Sequence, residues 1–154
     1  EGIYMGELKK SFFQMRGFHI QSIHFSASTS ELTPDDYSSI LVASKNTEYK
    51  EEISAWVGLI LLNLKLVPNE NQQNAEQPSM YFDFTAATTF SMEAANDDQS
   101  KKQFEDLLKL NGMVSTLSAA RTNVIQLSMQ LGISPPIIVP NVDLRKFEWV
   151  DSEQ

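Results

Sequence analysis

The feature that most constrains the fold is a change in the spacing of apolar residues between Met92 and Asp97. Before this change, Met80–Met92 alternates between two faces, one of them polar, which is typical of a half-buried strand in an antiparallel sheet. After it, apolar residues recur every three or four positions, which is typical of an amphipathic helix. The chain is therefore predicted to be α+β, with an antiparallel sheet followed by helices.

Three further segments are predicted to be strands. The alternation in Phe18–Ser28 changes phase near Ser22, which indicates either burial on both faces or a β-bulge. Ile53–Val67 has the strongest strand pattern, whereas Ser39–Tyr49 is weaker and is the expected edge of the sheet. Together with Met80–Met92, these segments predict three or four strands in meander order. The polar residues expected to protect the edge strand are Lys45, Asn46 and Lys50.

Two helices are predicted after the sheet. Asp97 or Ser100 is the expected N-cap of the first helix, and Gly112 separates it from a longer helix at Met113–Leu131. Gly132 is expected to end the second helix. Its apolar positions form a seam suited to another helix or to a sheet. This seam comprises Met113, Leu117, Ala120, Val124, Leu127 and Leu131.

The 154-residue length suits one domain, predicted at residues 18–150, with an N-terminal arm at 1–17 and a polar tail at 151–154. The formal net charge of -8 disfavours binding to nucleic acid or to anionic membranes. The longest apolar run is too short to span a bilayer, and no signal peptide is recognisable. These features predict a cytoplasmic protein that does not insert into membranes.

The sequence offers little basis for catalysis. It has no cysteine, which excludes thiol nucleophiles and zinc-thiolate sites. Phosphate-binding loops, serine elbows and dinucleotide fingerprints are also missing. His19 and His24 are five residues apart on one predicted strand, so they are expected on opposite faces, unable to share a metal without a bulge. Arg121 is expected either to pair with an acid such as Asp83 or Glu105, or to line a groove. A non-enzyme without metal or cofactor is predicted.

Three segments carry a resemblance to the SecB family of export chaperones and its relatives in toxin–antitoxin systems and phages. FHIQSIHF (Phe18–Phe25) is similar to the first strand of that family, which typically follows F-x-I-x-x-I. Ser118–Pro136 is similar to its long helix, with Ala120–Arg121 at the usual alanine–arginine pair. IIVPNVDLRKF (Ile137–Phe147) is similar to the proline–valine segment that follows this helix.

The resemblance implies a four-stranded antiparallel sheet with helices on one face. It also implies a tetramer built as a dimer of dimers, and passive binding of unfolded or precursor proteins without ATP. The family's second helix is expected to be short or absent here, because few residues follow Phe147. Of the positions near Ala27 and Glu31, where the family contacts the SecA motor, only Glu31 is acidic. Engagement of SecA therefore stays open.

A chaperone of this kind needs exposed apolar surface. The predicted client-binding residues are Phe104, Leu107, Leu108, Ile137, Val139, Leu144, Phe147 and Trp149, and the predicted oligomer interface is the seam of the long helix. The simpler interpretation is that all these residues belong to the core or to a subunit contact. Two other functions are considered. One is an adaptor of the same fold for a single partner, and the other is a small-molecule carrier, which would need more strands.

Overall fold

A computed structural model of the chain describes residues 12–27, 37–68, 80–133 and 136–150. They form a four-stranded antiparallel sheet with helices on one face, which confirms the predicted α+β class. The predicted tail and residues 1–11 of the predicted arm lie outside the described residues. The elements in chain order are β1 (Phe13–Ala27), β2 (Tyr37–Lys50), a 3-10 turn (Glu51–Ile53), β3 (Ala55–Pro68), β4 (Met80–Glu93), α1 (Asp98–Leu107), a π-helical turn (Leu108–Gly112) and α2 (Met113–Gln130).

The strands are arranged in the order β1-β4-β3-β2. The predicted meander is correct for β2, β3 and β4, but it is wrong for β1, which pairs with β4 instead of β2. Alternation of apolar residues determines which face a side chain takes, but it does not determine which strand lies alongside. Strands β1 and β2 are therefore the two edges of the sheet.

Strand β1 contains the β-bulge that the sequence left as one of two alternatives. The pairing with β4 shifts register between Ile20 and Ser22. The shift returns Ile23 and Phe25 to the face that already holds Phe18, because all three pair with residues of the buried face of β4.

Strand β1 also begins at Phe13, earlier than predicted. The ring of Phe13 stacks on Phe90 of β4, with 5.2 Å between the ring centroids, and this contact draws the start of the strand into the sheet. At β3 the difference is opposite. The strand begins at Ala55 and not at the predicted Ile53, because Ser54 has a φ of 49° and interrupts the extended backbone.

The core lies between the sheet and the helices. Alternate residues of β3 and β4 point inward and are fully buried, and α1 and the π turn add Phe104 and Leu108. Each large apolar side chain buried in this way contributes roughly 1.5–3 kcal/mol to folding. The largest of the buried sheet residues are Phe82, Phe84, Phe90, Ile60, Leu62, Leu64, Met80 and Met92.

Glycine allows the helices to approach the sheet closely. A Cβ at Gly112 would lie 3.2 Å from Ile60 Cδ1, so the backbone here is nearly in contact with β3. The predicted helix break at Gly112 is therefore wrong, because helical backbone continues through the π turn into α2. The predicted end of α2 is confirmed, since Leu131 is the C-cap and Gly132 adopts a φ of 76°.

Asp97 is the N-cap of α1. Its carboxylate accepts a 2.7 Å hydrogen bond from the backbone N–H of Ser100. This bond, together with one from the Ser100 hydroxyl, holds the pKa of Asp97 below its ordinary value of 3.8. Of the two predicted caps, the structure selects Asp97.

Candidate functional site

The segment after α2, residues 136–150, is irregular with a turn at 144–146, and it lies against the body of the protein. Its first turn is held by Ser128, a buried residue of α2. The Ser128 hydroxyl donates to the carbonyl of Val124 at 2.7 Å and accepts from the backbone N–H of Ile137 at 3.0 Å. Ile137 and Val139 are fully buried beside it. The start of this C-terminal segment is therefore part of the core.

Arg121 of α2 holds the middle of the C-terminal segment. One guanidinium nitrogen lies 3.3 Å from the carbonyl oxygen of Pro140 and 3.3 Å from Asn141 Oδ1. The predicted pairing with Asp83 or Glu105 is wrong. Asp83 lies on the sheet face opposite the helices, where it contacts the Lys65 ammonium at 3.7 Å. Glu105 accepts a 3.4 Å hydrogen bond from the hydroxyl of Thr47. Arg121 therefore has a structural role, but its partners are a carbonyl and an amide instead of the predicted acid.

The end of the C-terminal segment reaches the free edge of β2. The backbone N–H of Val150 donates a 3.0 Å hydrogen bond to the carbonyl of Ala43, and Val150 forms a parallel bridge with Ser44. The Lys45 ammonium lies 5.5 Å from the ring centroid of Trp149, within the range of a cation–π contact. We call the backbone of Ala43–Lys45, on the side facing away from β3, the edge site.

Two aromatic side chains flank the edge site. The rings of Phe147 and Trp149 meet edge to face, with 5.4 Å between their centroids. Both are half-buried against the core, whereas Glu148 and Val150 between and after them are exposed. This alternation is that of a strand with one apolar face. The segment therefore places a pair of aromatic rings beside the open edge of the sheet.

The predicted client-binding residues fall into two groups. Phe104, Leu108, Ile137 and Val139 are fully buried. Leu107, Leu144, Phe147 and Trp149 are half-buried and pack on the outside of that core. The structure thus brings Phe147 and Trp149 together at the edge site and places the first group beneath the surface.

The predicted interface residues also divide. Met113, Leu117, Ala120 and Val124 are buried within the single chain, where they hold α2 against the sheet, and Leu127 is half-buried. Leu131 is 37% exposed. The exposed face of α2 carries other apolar residues, among them Val114 and Met129, which is 69% exposed.

Two residues of the edge site and the residue that pairs with it were not identified from sequence. Ala43, Ser44 and Val150 carry no distinctive chemistry, and the site depends on their backbone atoms. One signal was available in the sequence: the polar Glu148 separates the apolar Phe147 and Trp149, as in a short strand with one apolar face.

The two histidines lie on the same face of the sheet. His19 pairs with Ala87 and His24 with Asp83, and both partners belong to the face opposite the helices. The prediction of opposite faces is wrong, because the bulge after Ile20 changes the alternation. Their separation along the strand is about 13 Å, too far to share one ion.

Within the four described ranges, no group of three or more His, Cys, Asp or Glu side chains is placed to hold a metal ion. Across the same part of the chain, no helix is long and apolar enough to cross a membrane.

Comparisons with known proteins match at the level of structure. No family model matches the sequence, and no curated protein matches it. The structure is similar to that of a SecB-like chaperone of Mycobacterium tuberculosis, solved in complex with a ChAD peptide from the HigA1 antitoxin. The TM-score is 0.58 and the sequence identity is 20%, over 85% of this chain and 91% of that chain. The resemblance predicted from sequence is confirmed in the fold: this chain has the fold of the SecB-like chaperones.

Proposed function

We propose that this chain is an ATP-independent chaperone that binds extended or unfolded segments of other proteins. One observation carries this proposal: at Ala43–Lys45 the edge strand β2 already pairs with a residue outside the sheet, Val150, beside the half-buried rings of Phe147 and Trp149. An extended polypeptide presents backbone groups that pair with such an edge and apolar side chains that bury on the core as these two rings do. Neither contact requires a particular sequence, which suits a binder of many clients.

The client-binding surface is proposed to include the half-buried Leu107 and Leu144 and the part of the core that Phe147 and Trp149 cover. The buried residues Phe104, Leu108, Ile137 and Val139 support this surface from below. Apolar burial is non-directional and roughly proportional to area, so many weak contacts add up to useful affinity. Leu107 and Leu144 are thus proposed to contact the client, and the four buried residues to support it.

We also propose that the protein is a homo-oligomer, a tetramer arranged as a dimer of dimers. The exposed Val114 and Met129 of α2, together with the exposed C-cap residue Leu131, are the proposed subunit contact. Sedimentation equilibrium measures the mass, and a monomer at every concentration would rule out this part of the proposal. A pull-down with purified SecA tests the motor as a further partner.

Aggregation of an unfolded client protein tests the chaperone function. Light scattering of a chemically denatured enzyme, diluted into buffer, is followed with and without this protein and without nucleotide. We expect suppression at near-stoichiometric amounts. Unchanged aggregation of several different clients would contradict the proposal.

The second candidate is an adaptor of the same fold for one dedicated partner. It is favoured by the structurally similar chaperone, which was solved with a peptide from one antitoxin. A dedicated adaptor is expected to bind one natural partner tightly and to leave the aggregation of unrelated clients unchanged. The aggregation assay therefore separates the two functions.

A further inference from the structure

The edge site is occupied by the protein's own chain. Strand β2 lies at the edge of the sheet, where one row of backbone groups points away from β3. Among the described residues, one backbone hydrogen bond reaches this row of groups: the N–H of Val150 donates to the carbonyl of Ala43. One residue of the C-terminal segment, Val150, therefore pairs with the edge of the sheet.

The segment has the features of a bound peptide. Phe147 and Trp149 turn inward to the core, while Glu148 and Val150 turn outward. Lys45 of β2 lies against the Trp149 ring, so both the backbone and a side chain of the edge strand contact the segment. A backbone pairing combined with pockets for alternate side chains is how extended peptides are recognised at sheet edges.

The attachment at the edge is weak enough to be displaced. Val150 remains 51% exposed, and the bridge at Ser44 is isolated and does not continue into a longer ladder. The strong anchors of the segment, at Ser128 and Arg121, lie nearer its beginning. The last four described residues can therefore leave the edge while the start of the segment stays in place.

We propose that Phe147–Val150 is an internal competitor for the position where clients bind. The partner it fits is an extended polypeptide segment with two bulky apolar side chains two residues apart, which replace Phe147 and Trp149 while its backbone pairs with Ala43–Lys45. This assignment rests on the proposed chaperone function and adds the location and the regulation of the binding site. Clients bind only those molecules in which the edge is open. The apparent affinity is therefore the intrinsic affinity multiplied by the fraction of open molecules.

A proline variant tests the competition. Val150→Pro removes the N–H that donates to Ala43, and Val150→Ala keeps it. The probe is a fluorescein-labelled synthetic peptide with the sequence of residues 136–150, followed by fluorescence anisotropy. Val150→Pro is expected to bind the probe about fivefold more tightly than the wild type, the size of one net backbone hydrogen bond. Val150→Ala is expected to stay within about twofold. Equal affinity of the proline variant and the wild type would overturn the assignment.

A reversible cross-link provides the second test. The chain contains no cysteine, so Ser44→Cys combined with Val150→Cys introduces one defined pair at the bridge. Oxidation is expected to weaken probe binding at least tenfold, and reduction of the same sample restores it. The reduced sample shows that the variant folds. Equal binding in the two redox states would show that clients do not use this edge.

The two proposals fail in different ways. If the wild type suppresses aggregation and oxidation of the double variant leaves probe binding unchanged, the edge assignment is wrong and the chaperone function stands. If the wild type neither binds the probe nor suppresses aggregation, the chaperone function is wrong and the edge assignment falls with it. Loss of both probe binding and aggregation suppression on oxidation supports both.

Discussion

Thr116 of α2 and Thr88 of β4 are joined by a 3.0 Å hydrogen bond between their hydroxyl oxygens, in the interior of the protein. Both residues are fully buried. Thr116 Oγ1 also lies 2.8 Å from the carbonyl oxygen of Gly112, so the pair forms a small polar network inside an apolar layer. Such a network favours one position of the helix along the sheet, because any shift leaves buried polar atoms without partners.

Removing both of these hydroxyls is expected to cost less than the sum of the two single removals. Thr116→Val leaves the buried Thr88 hydroxyl without this partner, and we expect a loss of about 1–3 kcal/mol in the free energy of unfolding. Thr88→Val with Thr116→Val replaces both partners, so the double variant is expected to be more stable than the sum of the single losses predicts. Urea unfolding at one protein concentration measures the stability of Thr116→Val, Thr88→Val and the double variant. Strict additivity would show that the two hydroxyls are independent.

Gly58 is expected to tolerate no side chain. A Cβ there would lie 3.0 Å from Leu108 Cδ1 and 3.0 Å from Phe104 Cζ, and both neighbours are fully buried. We expect Gly58→Ala to destabilise the protein by about 1–3 kcal/mol through overpacking. Gly17→Ala is the matched control, because its Cβ meets Thr89 at an ordinary 3.5 Å. Thermal unfolding compares the two variants, and similar midpoints would contradict close packing at Gly58.

Ser128 is expected to be required for attachment of the C-terminal segment. Ser128→Ala leaves the buried N–H of Ile137 without its acceptor, at an expected cost of about 1–3 kcal/mol. Thr122→Ala is the control, because Thr122 makes the same kind of bond to a carbonyl one turn earlier but is exposed. Hydrogen exchange of residues 136–150 is expected to quicken in the first variant alone. Equal exchange in both variants would show that Ser128 does not hold the segment.

The contribution of the Asp97 cap is expected to depend on pH. Since hydrogen bonds from Ser100 lower the pKa of Asp97, the folded state binds fewer protons here than the unfolded state. The stabilisation is therefore complete above the ordinary pKa of 3.8 and is lost as the pH falls through the lowered value. Asp97→Asn keeps an acceptor but removes the charge. We expect it to lower the unfolding temperature at neutral pH and to lose that difference in acid. A difference that is constant with pH would contradict the assignment.

The regular elements were predictable because each is determined by local pattern. Alternation in β4, the cap at Asp97 and the stop at Gly132 all depend on residues close in sequence. Pairing of β1 with β4 depends on contacts between residues 53 to 79 positions apart, which alternation does not encode. The same limit applies to Arg121, because its partners at Pro140 and Asn141 belong to the C-terminal segment, whose path along α2 is not encoded by a local pattern.

The candidate site was predictable only in part. Sequence identified Phe147 and Trp149 as candidate client-binding residues, and β2 as an edge. It did not separate the half-buried residues from buried ones such as Ile137 and Val139, because all of them follow an apolar pattern. The contact at the edge site is made by backbone atoms of Ala43 and Val150, whose side chains give no indication of it.

Binding to one protein in two states tests the proposed function. Reduced, carboxymethylated lactalbumin stays unfolded, and native lactalbumin serves as its folded counterpart. Isothermal titration calorimetry of each, with and without ATP, gives the affinities. Saturable binding to the unfolded form, no binding to the folded form and no effect of ATP are predicted. Failure to bind the unfolded form, or equal affinity for both forms, would contradict a chaperone that recognises extended polypeptide.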